Sequence, residues 1–168
     1  PLARVVVHPN NPTGTFQPQI PPAPLTVIDE SFCDIAPAES HIARASDPGH
    51  IILKSFGKFW GLAGLRLGFA IGDPELIDAL RQRLGPWPVS GIALKIGQAA
   101  LSDTAWADQT RARLSADAER LDRLMRRIGA RPMGACPLFR TYEVADAGQL
   151  HHHLAQRRIW TRVFPYSQ

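Results

Sequence analysis

A chain of 168 residues with a formal charge of +4 is long enough for one domain with a real core. Its charge is too modest, and its arginines too interleaved with acids (RARLSADAERLDRLMRR), for a nucleic-acid-binding stripe. The two cysteines, Cys33 and Cys136, match no metal or CxxC spacing, and no apolar run is long enough to cross a bilayer, so a reduced cytoplasmic chain is expected.

The first element is ARVVVHP, a short β-branched apolar run ended by the turn-forming NNPTG. It predicts a strand buried on both faces. LTVIDE, HIILKSF and LRLGFAIG repeat the pattern. Four such runs predict an α/β fold with a mostly parallel sheet flanked by helices, and functional groups beyond the strands' carboxyl ends. HPNNPTG, DESF and SFGK fall at that edge.

DPELIDALRQRL predicts a helix with Asp73 as cap, Pro74 in the first turn and a stripe of Leu76, Ile77, Leu80 and Leu84. Gly85, Pro86 and Pro88 break it. SGIALKIGQAALSD predicts a second helix with small residues for close packing. A long third helix is expected from Thr104 to about Ile128, with Leu114, Leu121, Leu124, Met125 and Ile128 on one face. GARPMGACP reads as a linker-like break. A strand (LFRTYEV), a helix (AGQLHHHLAQR) and a strand (IWTRVF) follow as a small α/β unit. The composition shift near Gly129 divides the chain into 1–103, the end of a larger α/β domain, 104–128, a connecting helix, and 129–168, part of a small C-terminal domain. Both ends read as cut, so a fragment of a longer protein is expected.

The segment SFGKFWGLAGLRLG carries the chemistry. A P-loop needs Ser or Thr directly after its lysine, and here Phe59 follows Lys58. The glycines at 57, 61, 64 and 68 also miss the G-x-G-x-x-G spacing of a dinucleotide site. A covalent role for Lys58 fits better. A lysine forming a Schiff base with pyridoxal phosphate needs a tight, partly dry pocket. It needs an acid for the pyridine nitrogen, a donor to the phenolic oxygen, and hydroxyl, guanidinium and amide groups for the phosphate. Asp29 after the second strand, Asn11 after the first, and Ser55 with Arg66 around Lys58 offer these, each set on its own loop.

NNPTG, VIDES and SFGKFWGLAGLRLG, in this order, resemble fold-type I pyridoxal-phosphate enzymes of the class I/II aminotransferase superfamily. The resemblance spans most of the chain. Its wording is close to the histidinol-phosphate aminotransferase branch and closer to the cobalamin-pathway L-threonine-O-3-phosphate decarboxylase group, through SFGKFWGLAGLRLGFA, DESFCDIAP and RRIWTRVFPYS. The resemblance implies that Lys58 forms the Schiff base and carries the proton at Cα. It implies that Asp29 pairs with the pyridine nitrogen, Asn11 with the phenolic oxygen, and Ser55 and Arg66 with the phosphate. Pro12 and Gly14 would shape the Asn11 loop. It also implies an amino-acid or amino-acid-phosphate substrate and a homodimer. Phe32 stands where aminotransferases of the superfamily usually carry tyrosine, which leans toward the decarboxylase group. Gly57 stands where many members have a hydroxyl. A cofactor-phosphate loop and a stacking aromatic are expected before Pro1, and a carboxylate-gripping arginine beyond Gln168. The alternatives are a transaminase, a regulatory aminotransferase-like domain, or an inactive truncated product.

Other residues read as structural. Lys54 is the rival lysine, inside a strand and without a glycine surround. Glu30 reads as a solvated neighbour of Asp29. His8 is a pocket-lining candidate left out of the site. His151, His152 and His153 point in different directions on a helix and read as a solvated face, with no metal. Tyr142 and Trp160 read as small-domain core. Arg66 is placed on a buried glycine-rich run.

Overall fold

Val5, Val6 and Val7 are stiff at χ1 and suit a pleated strand. In the computed structural model, which describes residues 1–164, they lie in β1 (Ala3–Val7). β2 (Leu25–Asp29) and β3 (His50–Ser55) pair with it in the order β1-β2-β3, all parallel. β4 (Gly68–Gly72) adds to β3 antiparallel. The connection between them holds one short 3₁₀ turn, and without a crossover helix the chain returns the opposite way.

Asp73 caps α1 (Pro74–Leu84) by accepting from Glu75 N–H, and it also accepts from Gly49 N–H at 2.8 Å. These backbone bonds, Gly49's first, hold its carboxyl below the usual value. Ser90 caps α2 (Gly91–Ser102) and Asp103 caps α3 (Thr104–Arg126). α2 packs so closely that a Cβ on Gly97 would stand 2.4 Å from Leu67 Cδ2. β5 (Arg131–Met133) and β6 (Thr141–Glu143) form an antiparallel pair, followed by α4 (Ala147–Ala155).

Three apolar clusters hold these parts together. Val6, Ile20, Ile28 and Ile52 fill one side of the parallel strands. Phe56, Leu67 and Ala93 join α2 to the β3–β4 connection. Ile35, Phe59, Ala107 and Cys136 join α3 to the loops after β2 and β3 and to the segment before β6. Among the described residues no helix is long and apolar enough to cross a membrane.

Several sequence expectations differ from the structure. On α3 the buried residues are Ala107, Thr110 and Asp122, while Leu121 and Leu124 are exposed, as is Ile128 just past its end. The helix is anchored near its start by apolar contact and further along by a buried carboxylate, rather than by one leucine face. Leu84 of the α1 stripe is exposed too. GARPMGACP is no linker: it contains β5, and Ala130 and Cys136 are buried. Gly134 makes this possible, because its φ is +69° and a Cβ there would lie 2.2 Å from Thr13 O. IWTRVF contains no strand, and Trp160 is 82% exposed rather than core.

Candidate active site

The parallel strands end side by side. Val7 and Asp29 are register partners, as are Asp29 and Leu53, so the loops after β1, β2 and β3 leave from one edge. Because side chains alternate along a strand, Asp29, Leu53 and Ser55 share one face of the sheet while Lys54 points to the other.

Asp29 Oδ1 accepts from Ser31 N–H at 2.9 Å and Ser31 Oγ–H at 2.5 Å. Its Oδ2 has no hydrogen-bond partner among the described residues. Ser55 Oγ accepts from Gly57 N–H at 3.1 Å, which tightens the turn leading to Lys58. The Lys58 ammonium lies 5.3 Å from the centre of the Phe32 ring and makes no ion pair among the described residues. Phe139 meets Phe32 edge-on at 5.0 Å. The partly dry pocket expected around Lys58 is not closed: its side chain is exposed, walled by Phe32 on one side.

Arg66 also departs from expectation. It is exposed, as are Gly61 and Gly64 nearby, although Leu67 is buried. Its φ of 52° is left-handed, a conformation costing a non-glycine residue roughly 1 kcal/mol. Only one guanidinium contact is local, from Nη1 to Ala63 O at 3.1 Å. The fold thus keeps an arginine at a backbone position better suited to glycine, and strain of this kind gathers at functional sites.

Asn11 has an exposed side chain. The shape of its loop comes from its neighbour: Asn10 Oδ1 accepts from Thr13 Oγ1–H at 2.9 Å, and Gly14 N–H donates to Asn10 O at 2.7 Å. The segment before β6 then pins the loop. Ala135 N–H donates to Gly14 O at 2.9 Å, and the Thr141 hydroxyl donates to Pro12 O.

Beneath this edge lies a polar network that sequence reasoning missed. Glu30 is 0% exposed, not solvated. Its carboxylate meets Lys54 Nζ at 2.7 Å and accepts from Ser40 Oγ–H and His41 N–H, both at 2.6 Å. Burial alone would raise the Glu30 carboxyl, but the bonds from Lys54, Ser40 and His41 outweigh it and hold it low. Burial likewise opposes the Lys54 charge, and its two carboxylate partners overcome that and raise its pKa. The second partner is Asp34, at 3.1 Å. Asp34 also accepts from Trp60 Nε1–H at 2.7 Å, and its carbonyl accepts from Arg111 of α3 at 2.9 Å. The available signal was the lysine inside HIILKSF: a buried charge demands a counter-charge, and DESFCD holds three acids, of which Glu30 and Asp34 meet it.

The remaining candidates resolve simply. His8 is buried with both ring nitrogens engaged: Nδ1 accepts from Gln17 N–H and Nε2 donates to Glu39 O. Burial pushes its pKa down, and the neutral ring braces loops rather than lining the site. Cys33 and Cys136 are buried free thiols. Burial pushes Cys33 up to about 12, which leaves it unreactive. His152 and His153 are exposed, while His151 is half-buried against Thr161 and Trp160. Tyr142 is half-buried with its hydroxyl on Asp122. A cavity of about 290 Å³ between β4 and α2 is lined by Leu67, Phe69, Leu94 and Leu101, with Gln98 and Ser102 as its polar side chains. It contains none of the candidate residues.

The family model for aminotransferase class I and II matches residues 23–164. Threonine-phosphate decarboxylase of Pseudomonas aeruginosa is 43% identical over 95% of this chain and 51% of its own length. Histidinol-phosphate aminotransferase of Symbiobacterium thermophilum is 32% identical over 84% of this chain and 42% of its own length. The crystal structure of histidinol-phosphate aminotransferase from Sinorhizobium meliloti, in complex with pyridoxal-5'-phosphate, superposes with a TM-score of 0.79 at 24% identity, covering 98% of this chain and 50% of that one. That likeness speaks for the fold. The chain spans about half the length of the curated relatives it matches.

Proposed function

We propose, because this chain belongs to the aminotransferase class I and II family, that the full-length protein is a pyridoxal-phosphate-dependent enzyme that decarboxylates threonine phosphate in cobalamin synthesis. The observation that carries the reading is the meeting of Lys58 with the loop after β2. Its amine sits over Phe32, three residues past Asp29, and makes no ion pair among the described residues. The choice of decarboxylation rests on the 43% identity to the Pseudomonas decarboxylase, against 32% to the Symbiobacterium aminotransferase.

The donor set fits the cofactor. Pyridoxal phosphate asks for an amine, an acid, a donor to its phenolic oxygen, and a cationic, hydroxyl-bearing cradle. Lys58 offers an exposed amine, and Asp29 an oxygen with no partner among the described residues. Asn11 offers an exposed amide. Ser55 and Arg66 offer a hydroxyl and a guanidinium. When bound, the cofactor supplies an electron sink for the bond that breaks at the substrate Cα. Lys58 Nζ would hold the cofactor covalently and, once freed by the substrate amine, would deliver a proton to Cα in place of the departing carboxylate. Asp29 would hold the proton on the pyridine nitrogen. Asn11 would donate to the phenolic oxygen, and Ser55 and Arg66 would hold the phosphate. Phe32, backed by Phe139, keeps water from one side of the amine. The same reading makes the full-length protein a cytoplasmic homodimer with a small-molecule substrate.

Two measurements test this. Full-length protein is loaded with pyridoxal phosphate, reduced with borohydride and digested, and the label is expected on Lys58; a label elsewhere overturns the assignment. Carbon dioxide release from threonine phosphate is expected. Glutamate formation from histidinol phosphate and 2-oxoglutarate, without that release, makes the protein an aminotransferase instead.

A further inference from the structure

We propose that Lys54, the lysine that does no chemistry, is a positioning residue that sets the mutual placement of Asp29, Phe32, Ser55 and Lys58; this rests on the cofactor reading above. Its ammonium grips two carboxylates at once, Glu30 at 2.7 Å and Asp34 at 3.1 Å. Those residues bracket the loop that carries Phe32, and Glu30 directly follows Asp29. Lys54 itself directly precedes Ser55. Asp34 reaches Trp60, two residues past Lys58, through a 2.7 Å bond from Nε1–H. One ammonium therefore ties together the segments that bear Asp29, Phe32, Ser55 and Lys58.

The arrangement acts from the reverse of the sheet. Glu30 N–H continues the ladder to Leu53 O at 2.9 Å, so Glu30 and Lys54 are neighbours on the face opposite Asp29 and Ser55. The clamp leaves the cofactor side open and acts through the backbone. A pair serving stability alone could be replaced by apolar groups of similar volume at little loss. Here Lys54 and Glu30 are 17% and 0% exposed in their side chains, and the contacts converge on site loops. A merely structural pair has no reason to do that.

The test uses the full-length protein and the double variant Glu30→Gln/Lys54→Met, which removes both charges together. Three quantities are read: the cofactor-free melting temperature, the pyridoxal phosphate dissociation constant from tryptophan quenching, and the pH midpoint of the bound cofactor's absorbance change. The melting temperature is expected within about 4 °C of wild type. The dissociation constant is expected to rise by about tenfold or more, as when groups behind a bound ligand's contacts are removed. The pH midpoint is expected to move by roughly half a unit or more. Lys54→Arg, which keeps the charge but replaces a compact ammonium with a planar fork, is expected to retain more affinity than the double variant. Wild-type affinity and pH midpoint in the double variant overturn the positioning role and leave the pair structural. If the double variant does not fold, Asp34→Asn decides. It keeps an acceptor for Trp60 and leaves Glu30 paired, and an unchanged dissociation constant and pH midpoint overturn the role. Wild-type protein that binds no pyridoxal phosphate overturns the cofactor reading itself, and does so before any variant is made.

Discussion

Two carboxylate-centred networks of similar make-up sit in different halves of the chain. Glu30 is held by Lys54, Ser40 and the His41 amide at the edge of the parallel sheet. Asp122, on α3, is held by both arms of Arg140, at 2.9 and 2.6 Å, and by the Tyr142 hydroxyl at 2.7 Å. Both carboxyls are opposed by burial and held low by their donors. They differ in what they join. The Asp122 network ties α3 to the β5–β6 pair, which bears no candidate residue and reaches the site at second hand, through Ala135 and Thr141 on the Asn11 loop. The Glu30 network directly ties the end of β2, which carries Asp29, to the loops that carry Phe32 and Lys58. Similar chemistry thus serves anchoring in one place and alignment in the other.

The harshest way to break the comparison is Lys54→Met alone. It leaves Glu30 charged, fully buried and without its cation, and stability is expected to fall by about 3–5 kcal/mol in denaturant unfolding. Arg140→Leu is the matched change in the other half. Asp122 is 8% exposed and keeps Tyr142 and a longer contact to Arg126 at 3.8 Å. The expected loss is smaller, about 2 kcal/mol. The folded fraction is expected to lose less pyridoxal phosphate affinity than that of Lys54→Met, because Arg140 reaches the site only through the segment that pins the Asn11 loop. A loss of affinity in Arg140→Leu as large as in Lys54→Met would erase the distinction between the two networks.

The pH dependence sharpens it further. The carboxyl of Glu30 is held below its ordinary 4.5 and that of Asp122 below 3.8. Each contributes stability above its ordinary value and loses it as pH falls through the lowered folded value. Lys54 is raised above 10.5, so its contribution is complete below that value and is lost as pH rises through the folded value. Melting temperature against pH is therefore expected to show a plateau between these limits. In Glu30→Gln/Lys54→Met the alkaline fall is expected to shrink, while the acid fall persists in part through Asp122.

What was legible in the sequence follows the same division. The strands β1–β3 announce themselves through runs such as ARVVV and HIILKS, and α1 through Asp73 and Pro74, because local period and caps decide them. The loops bearing Asn11 and Lys58, and the strand end bearing Asp29, were legible as the carboxyl edge of the sheet. The clamp was not, since Glu30 and Lys54 are joined only by the register of two parallel strands, which no local pattern states. The α3 face was misread because Asp122 is buried by Arg140, a residue beyond the helix. The supposed linker around Gly134 was misread because its partner, the loop at Thr13 and Gly14, lies near the other end of the chain.

The smallest expected effect tests whether burial, rather than the mere presence of opposite charges, separates the networks from the rest. Arg81 and Asp78 pair on α1 with side chains 71% and 62% exposed. Water screens such a pair and offers each charge nearly as good a partner, so its contribution is about 0.5 kcal/mol at most. Arg81→Ala is expected to leave the unfolding midpoint within that margin and pyridoxal phosphate affinity unchanged. A loss comparable to that of Arg140→Leu would mean that ion pairs stabilise this fold regardless of burial. The contrast drawn between Glu30, Asp122 and the surface pairs would then have no physical basis.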